Sequence, residues 1–151
     1  MLRTNYTYKA PVAFVGVFYL ILIGWILFAF TYLELIFSQL GVSVMFGFVM
    51  IGFIILVSSY FALGIAYRMD MDENGNIQLT SFRRVLETST DSTHMIEGPQ
   101  TPFGFLRFRL EKEKAYLFCV PNNPEMKTIL KRIRREDPDI RFKHLTVIEK
   151  L

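Results

Sequence analysis

The amino-acid sequence predicts a membrane α+β protein: a two-helix transmembrane hairpin within residues 1–67, then a small antiparallel β domain over residues 68–151 capped by one amphipathic helix. Three observations carry this. Two apolar runs, Pro11 to Tyr32 and Val42 to Tyr67, contain no charged side chain and lie a short loop apart. Directly after them apolar residues alternate with polar ones, the period of a half-buried strand. Farther on, apolar residues recur at spacings of three and four behind a strong capping signal, the period of a helix.

Each run supplies the about 20 apolar residues that a helix needs to cross a hydrocarbon core of roughly 30 Å. The spans are placed at residues 11–32 and 42–66. The second run, about 39 Å long if wholly helical, outlasts the core and is expected to become strand near Ile65 to Arg68. Arg3 and Lys9 precede the hairpin, Arg68, Arg83 and Arg84 follow it, and the connecting loop carries only Glu34. That asymmetry predicts an integral membrane protein with both termini cytoplasmic. The first run is too long for a signal-peptide core and lacks a small-residue cleavage site after it, so it is expected to stay as an anchor.

Gly16 and Gly24 on the first span, and Ser58, Ala62 and Ala66 at every fourth position of the second, form small-residue stripes. Such stripes let helix backbones approach closely. They either hold the hairpin together or dock a partner's transmembrane helix. Neither span contains Asp, Glu, Lys, Arg or His, the usual marks of an ion, proton or substrate path, which argues against a transporter.

In the β domain, Tyr67, Met69 and Met71 alternate with Arg68, Asp70 and Asp72 as an exit strand. Asn74 and Gly75 are expected to supply the positive φ angles of a tight turn, and Ile77 and Leu79 mark the returning strand. Val85 and Leu86 fall in a further strand, Thr88 to Thr93 in a polar loop, and His94 to Ile96 in another strand. Beyond Pro99 and Pro102, Phe103 to Leu110 and Ala115 to Val120 form a second hairpin about the charged turn Glu111 to Lys114. Asn123 then caps a helix that has Pro124 at its first position and ends at Asp137 and Pro138, over residues 124–136. Met126, Ile129, Leu130 and Ile133 form its apolar face; Lys127, Lys131, Arg132, Arg134 and Arg135 occupy the rest. The final segment, with Ile140, Phe142, Leu145, Val147 and Ile148, fits either a further strand or a stretch lying along another subunit.

This order of elements resembles the bacterial membrane proteins that carry a pleckstrin-homology-like (PH-like) domain. The likeness rests on the exit strand Tyr67 to Asp72, the Asp72-Glu73-Asn74-Gly75 turn, the paired strands Phe103 to Val120 and the helix from Asn123 to Glu136. It implies a bacterial inner-membrane protein whose β domain is a scaffold for assembly or membrane-proximal contact, without catalysis.

The residues that bear chemistry point the same way. The formal net charge of +3 is modest and argues for no polyanion partner. Cys119 is the sole cysteine, so no internal disulfide forms; it reads as a core thiol in a reducing compartment. His94 with Asp91 or Glu97, and His144 with Asp139, are sparse material for catalysis, and no metal-ligand or phosphate-cradling spacing occurs. The expectation is no enzyme, no cofactor and no metal. Phe103-Gly104-Phe105-Leu106-Arg107-Phe108 matches part of an RNA-stacking strand, but Thr101 and Pro102 stand where that motif needs a basic residue and Gly, so no nucleic acid is expected. Phe105, on the strand face opposite Leu106 and Phe108, is a candidate exposed contact. The basic residues of the helix have three readings: a solvated face, a surface for anionic lipid headgroups, or a surface for an acidic protein partner. The partners expected are membrane lipids and a membrane-protein complex or a homo-oligomer.

Overall fold

A computed structural model describes residues 6–41 and 43–145, and these fall into two compact units. The first is Pro11–Leu63, and the flanking chain on both sides, up to Ala10 and from Gly64, forms the second.

The first unit is a helix pair, α1 at Val12–Gln39 and α2 at Val44–Leu63, both long and apolar enough to cross a membrane. At 1.5 Å per residue they measure about 42 and 30 Å. α1 runs past Tyr32 and takes in Glu34, which was expected in the loop. Leu, Ile and Glu are good helix formers, so nothing stops the helix until Gly41 turns the chain at φ 66°. α2 stops at Leu63, so Ala66 leaves the helical stripe expected of it and becomes the first residue of a strand.

Gly47 is where the pair closes: a Cβ there would stand 2.9 Å from Phe37 Cδ2. Ala29, Ile51 and Ala62 are buried, and Tyr19 Oη donates to the Ala62 carbonyl at 2.8 Å. Added Cβ atoms at Gly16 and Gly24 would meet nothing within 4 Å.

The second unit is an open eight-stranded mixed sheet with a third helix. Its strands are β1 (Tyr6–Lys9), β2 (Ala66–Met71), β3 (Asn76–Ser81), β4 (Val85–Ser89), β5 (Thr93–Glu97), β6 (Gly104–Leu110), β7 (Lys114–Cys119) and β8 (Arg141–Lys143). β2-β3-β4 and β5-β6-β7 are antiparallel meanders, joined where Ala66 pairs in parallel with Leu117. β8 adds in parallel to β5 and places Phe142 of the final segment in a strand, with Ile140 and Leu145 flanking it; Val147 and Ile148 lie outside the described residues. β1 pairs antiparallel with β2, from Tyr6↔Met71 to Lys9↔Arg68, so Tyr6–Lys9, grouped by sequence with the hairpin, belongs to the sheet.

The β2–β3 turn departs from expectation at one residue. Only Gly75 takes positive φ, at 81°; Asn74 does not, because the Asp72 carboxylate builds the turn instead. Its Oδ1 accepts from the Asn74 and Asn76 N–H groups at 2.9 and 2.8 Å, and its Oδ2 accepts from Asn76 Nδ2 at 2.8 Å. Thr88 and Ser89, expected in a loop, pair with Ile77 and Asn76 in β4. α3, Pro124–Glu136, forms as its cap predicts: Asn123 Oδ1 accepts from the N–H groups of Glu125 and Met126 at 2.8 and 3.2 Å. Its apolar face, Met126, Ile129, Leu130 and Ile133, is buried with Met69, Met71, Ile77, Leu79, Ile96, Leu106, Phe108 and Leu117. Tyr8 of β1 reaches into this core, where its hydroxyl donates to the Phe118 carbonyl at 3.1 Å and accepts from the Val120 N–H at 3.2 Å. Burial pushes that phenol up to about 12.

Candidate interaction surfaces

The basic residues of α3 split into two roles. Arg132 turns inward on its own unit: Nε bonds Glu136 Oε1 at 2.6 Å, a second guanidinium nitrogen reaches the Glu73 carbonyl at 3.4 Å, and the group lies 5.9 Å over the Tyr6 ring. Hydrogen bonding to Glu136 raises its pKa further. It is a strut between α3, β1 and the β2–β3 turn, which period-based reading of the helix grouped with the exposed cations. Lys131, Arg134 and Arg135 are exposed and Lys127 is half-buried, and these four form the face that the sequence proposed.

Other charges stitch strands. Asp70, buried on β2, accepts from Thr7 Oγ1 at 2.7 Å and pairs with Arg68 through Nε at 2.8 Å, tying β1 to β2. That bond holds the Arg68 pKa above its ordinary value. Glu97, weighed as a partner for His94, is bound to Arg107 across the β5–β6 register and stands 3.8 Å from Lys143 Nζ on β8. Arg107 Nε is buried without a hydrogen-bond partner among the described residues. Arg84 bonds Glu113 at 2.6 Å, linking the β3–β4 and β6–β7 turns.

Phe105 is half-buried rather than fully open, because it faces Phe118 across the β6–β7 register with ring centroids 5.4 Å apart. Within the sheet domain Phe103 and Phe82 are more exposed than Phe105, each at 61%. Cys119 is fully buried and its thiol is pushed up to about 12 by that burial, so it stays protonated and unreactive at neutral pH. His94 and His144 are exposed. A surface cleft of about 370 Å³ is lined by Pro99, Thr101, Pro102, Pro121, Asn122 and His144, among others. No group of three or more His, Cys, Asp or Glu side chains among the described residues is placed to hold a metal.

Fold and surfaces together define a class: a pair of membrane-length apolar helices followed by a mixed-sheet α+β domain with a basic helix face. No protein-family model matches the chain, and neither does any curated protein or solved structure.

Proposed function

We propose that this chain is a non-enzymatic membrane-anchored interaction protein, an accessory or assembly subunit whose helix pair holds it in a bacterial inner membrane and whose α3 presents a basic face to an acidic protein partner. The observation that carries the reading is that α3 is two-sided: Met126, Ile129, Leu130 and Ile133 are buried, while Lys131, Arg134 and Arg135 are exposed on the other side. An exposed row of cations complements an acidic surface. The two meanders followed by one helix support a PH-like scaffold.

The test places a photo-crosslinking residue at Lys131 in the full-length protein in native membranes and compares it with the same protein carrying Arg134→Glu and Arg135→Glu. Surface charge reversal should leave folding stability within about 0.5 kcal/mol. A discrete crosslinked protein that co-purifies near one-to-one in mild detergent, and is lost on charge reversal, supports the reading. Crosslinks to lipid alone, with charge reversal abolishing binding to phosphatidylglycerol vesicles, would replace it with a headgroup-sensing function for the same face.

A further inference from the structure

The strand motif Phe103 to Phe108 has Thr101 and Pro102 where a basic residue and Gly would complete an RNA-stacking strand, and on sequence that speaks against nucleic acid. Folding brings the missing cations from other strands. In β6, Leu106 and Phe108 are buried and pair with Leu117 and Ala115 of β7, so the alternate residues Phe105, Arg107 and Arg109 lie on the opposite face of the sheet. Register then fixes their neighbours. One row across β8, β5, β6 and β7 reads Lys143, Glu97, Arg107 and Tyr116, and the next reads Arg141, Met95, Arg109 and Lys114. Strands stand about 4.8 Å apart, so each row spans about 14 Å, and the two rows lie roughly 7 Å from each other.

The charge on this face is lopsided. In the two rows Glu97 is the one carboxylate, and it is already bound to Arg107 and stands 3.8 Å from Lys143 Nζ. Arg109 and Lys114 lie directly opposite each other, a like-charge pair that costs stability in a sheet. Neither they nor Arg141, all exposed, has a side-chain ion pair or hydrogen bond among the described residues, and Glu113, next to Lys114 in the chain, is held by Arg84. This arrangement works against the fold and in favour of a polyanion laid across it.

Tyr116 selects among polyanions. Its ring is 40% exposed, with no ring or hydrogen-bond partner for the side chain among the described residues. It stands diagonal to Phe105, which is braced 5.4 Å from the Phe118 ring. An open aromatic beside cations and arginine planes suits unpaired bases, because every base has a stacking face and every nucleotide a charge. An acidic polypeptide would engage the cations and leave the ring idle.

We propose that this sheet face binds single-stranded nucleic acid, with a base stacked on Tyr116 and the phosphates neutralised by Arg109, Lys114, Arg141 and Lys143. The site is separate from the basic face of α3 and goes beyond the function proposed for it.

Fluorescence anisotropy of a labelled oligouridylate, titrated with full-length protein in a non-ionic detergent, tests this. Affinity should fall about 50-fold between 50 and 200 mM salt if four phosphates are neutralised, and the duplex of the same length should bind more weakly. Tyr116→Ser should lose about tenfold in affinity and Tyr116→Phe should keep it. The pair Arg109→Gln with Lys114→Gln should flatten the salt dependence, whereas Arg134→Glu with Arg135→Glu on α3 should leave binding intact. Binding of the oligouridylate or of its deoxy counterpart supports the site, and their relative affinity assigns RNA or DNA. Absence of binding to both would overturn it. So would competition by polyglutamate as effective as that by oligouridylate with Tyr116→Ser binding normally, which would mark an acidic-protein surface, and so would loss of binding on α3 charge reversal alone. Should Tyr116→Ser fail to fold, Tyr116→Trp in a Trp25→Phe background reads the same contact: emission quenched on adding the oligonucleotide supports stacking, and unchanged emission at saturation would overturn it.

Discussion

The helix pair and the sheet domain solve opposite problems with the same kind of residue. In α1 and α2 many large apolar side chains, among them Leu20, Ile21, Leu27, Val49, Phe53 and Leu56, point outward, and the helices meet through contacts that include Gly47 under Phe37, the Phe30 and Phe48 rings 5.9 Å apart, buried Ala29, Ile51 and Ala62, and the Tyr19 hydroxyl bond. In the sheet domain the apolar residues turn inward, and buried polar groups such as Asp70 and Asp72 are hydrogen-bonded. The comparison teaches where the driving force lies. A core dried by folding in water gains from each buried group, whereas two helices in lipid gain only from packing and the occasional hydrogen bond, because the lipid is as apolar as they are.

Substitution should therefore cost much in the sheet and little in the helices. The largest effect is expected at Tyr8, whose ring is wholly buried and whose hydroxyl serves two backbone groups, Phe118 in β7 and Val120 just beyond it. Tyr8→Ala removes the ring and strands both partners, costing about 3–5 kcal/mol by analogy with other aromatic truncations. Denaturant unfolding followed by β-sheet signal should shift strongly while helical signal from the helix pair persists; a shift below about 1 kcal/mol would show that β1 contributes little to the core.

Next comes Asp72. Burial alone would raise its carboxyl pKa, but the hydrogen bonds from the Asn76 side chain, the Asn76 backbone and the Asn74 backbone outweigh that and hold it below the ordinary value. A carboxyl depressed on folding contributes stability that is complete above the unfolded pKa of about 3.9 and is lost as pH falls through the folded value. Wild-type stability should decline below about pH 4, and Asp72→Ala should flatten that decline while costing about 1–3 kcal/mol at neutral pH. An unchanged acid limb in the variant would break the assignment.

The smallest effects separate two kinds of glycine. Gly47→Ala must push Phe37 aside and should weaken the helix pair by about 1 kcal/mol, whereas Gly24→Ala meets open space and should change the pair by less than about 0.5 kcal/mol. Thermal unfolding in detergent distinguishes them. If Gly24→Ala proved the more damaging, that glycine would be in contact with another molecule.

What was legible in the sequence was what local patterns dictate. The two apolar runs stand out because charge is excluded from them, and α3 is announced by Asn123 and Pro124, a cap that acts within one turn. The ends of the helices were less legible, since Glu34 looks like a loop residue but favours helix, and the small-residue spacing through Ala66 continues after the helix has stopped. β1 escaped notice because four alternating residues carry little signal without β2, which pairs with them only after both helices have passed. Arg132 was grouped with its basic neighbours for a related reason: helical period assigns a residue to a face, but its partners Glu73 and Tyr6 come from distant parts of the chain.

The pairing of β1 with β2, and of Tyr8 with the end of β7, also orders events in time. On the ribosome Tyr8 is made before both helices, and its backbone partners at Phe118 and Val120 only after them. Contacts so distant along the chain form late. β1 must stay available while the membrane-length segments are handled, and Tyr8 takes its place only once β7 has been made. A chain interrupted after the helices has a β1 but nothing to receive Tyr8, so closing the sheet core reports that synthesis has run through β7.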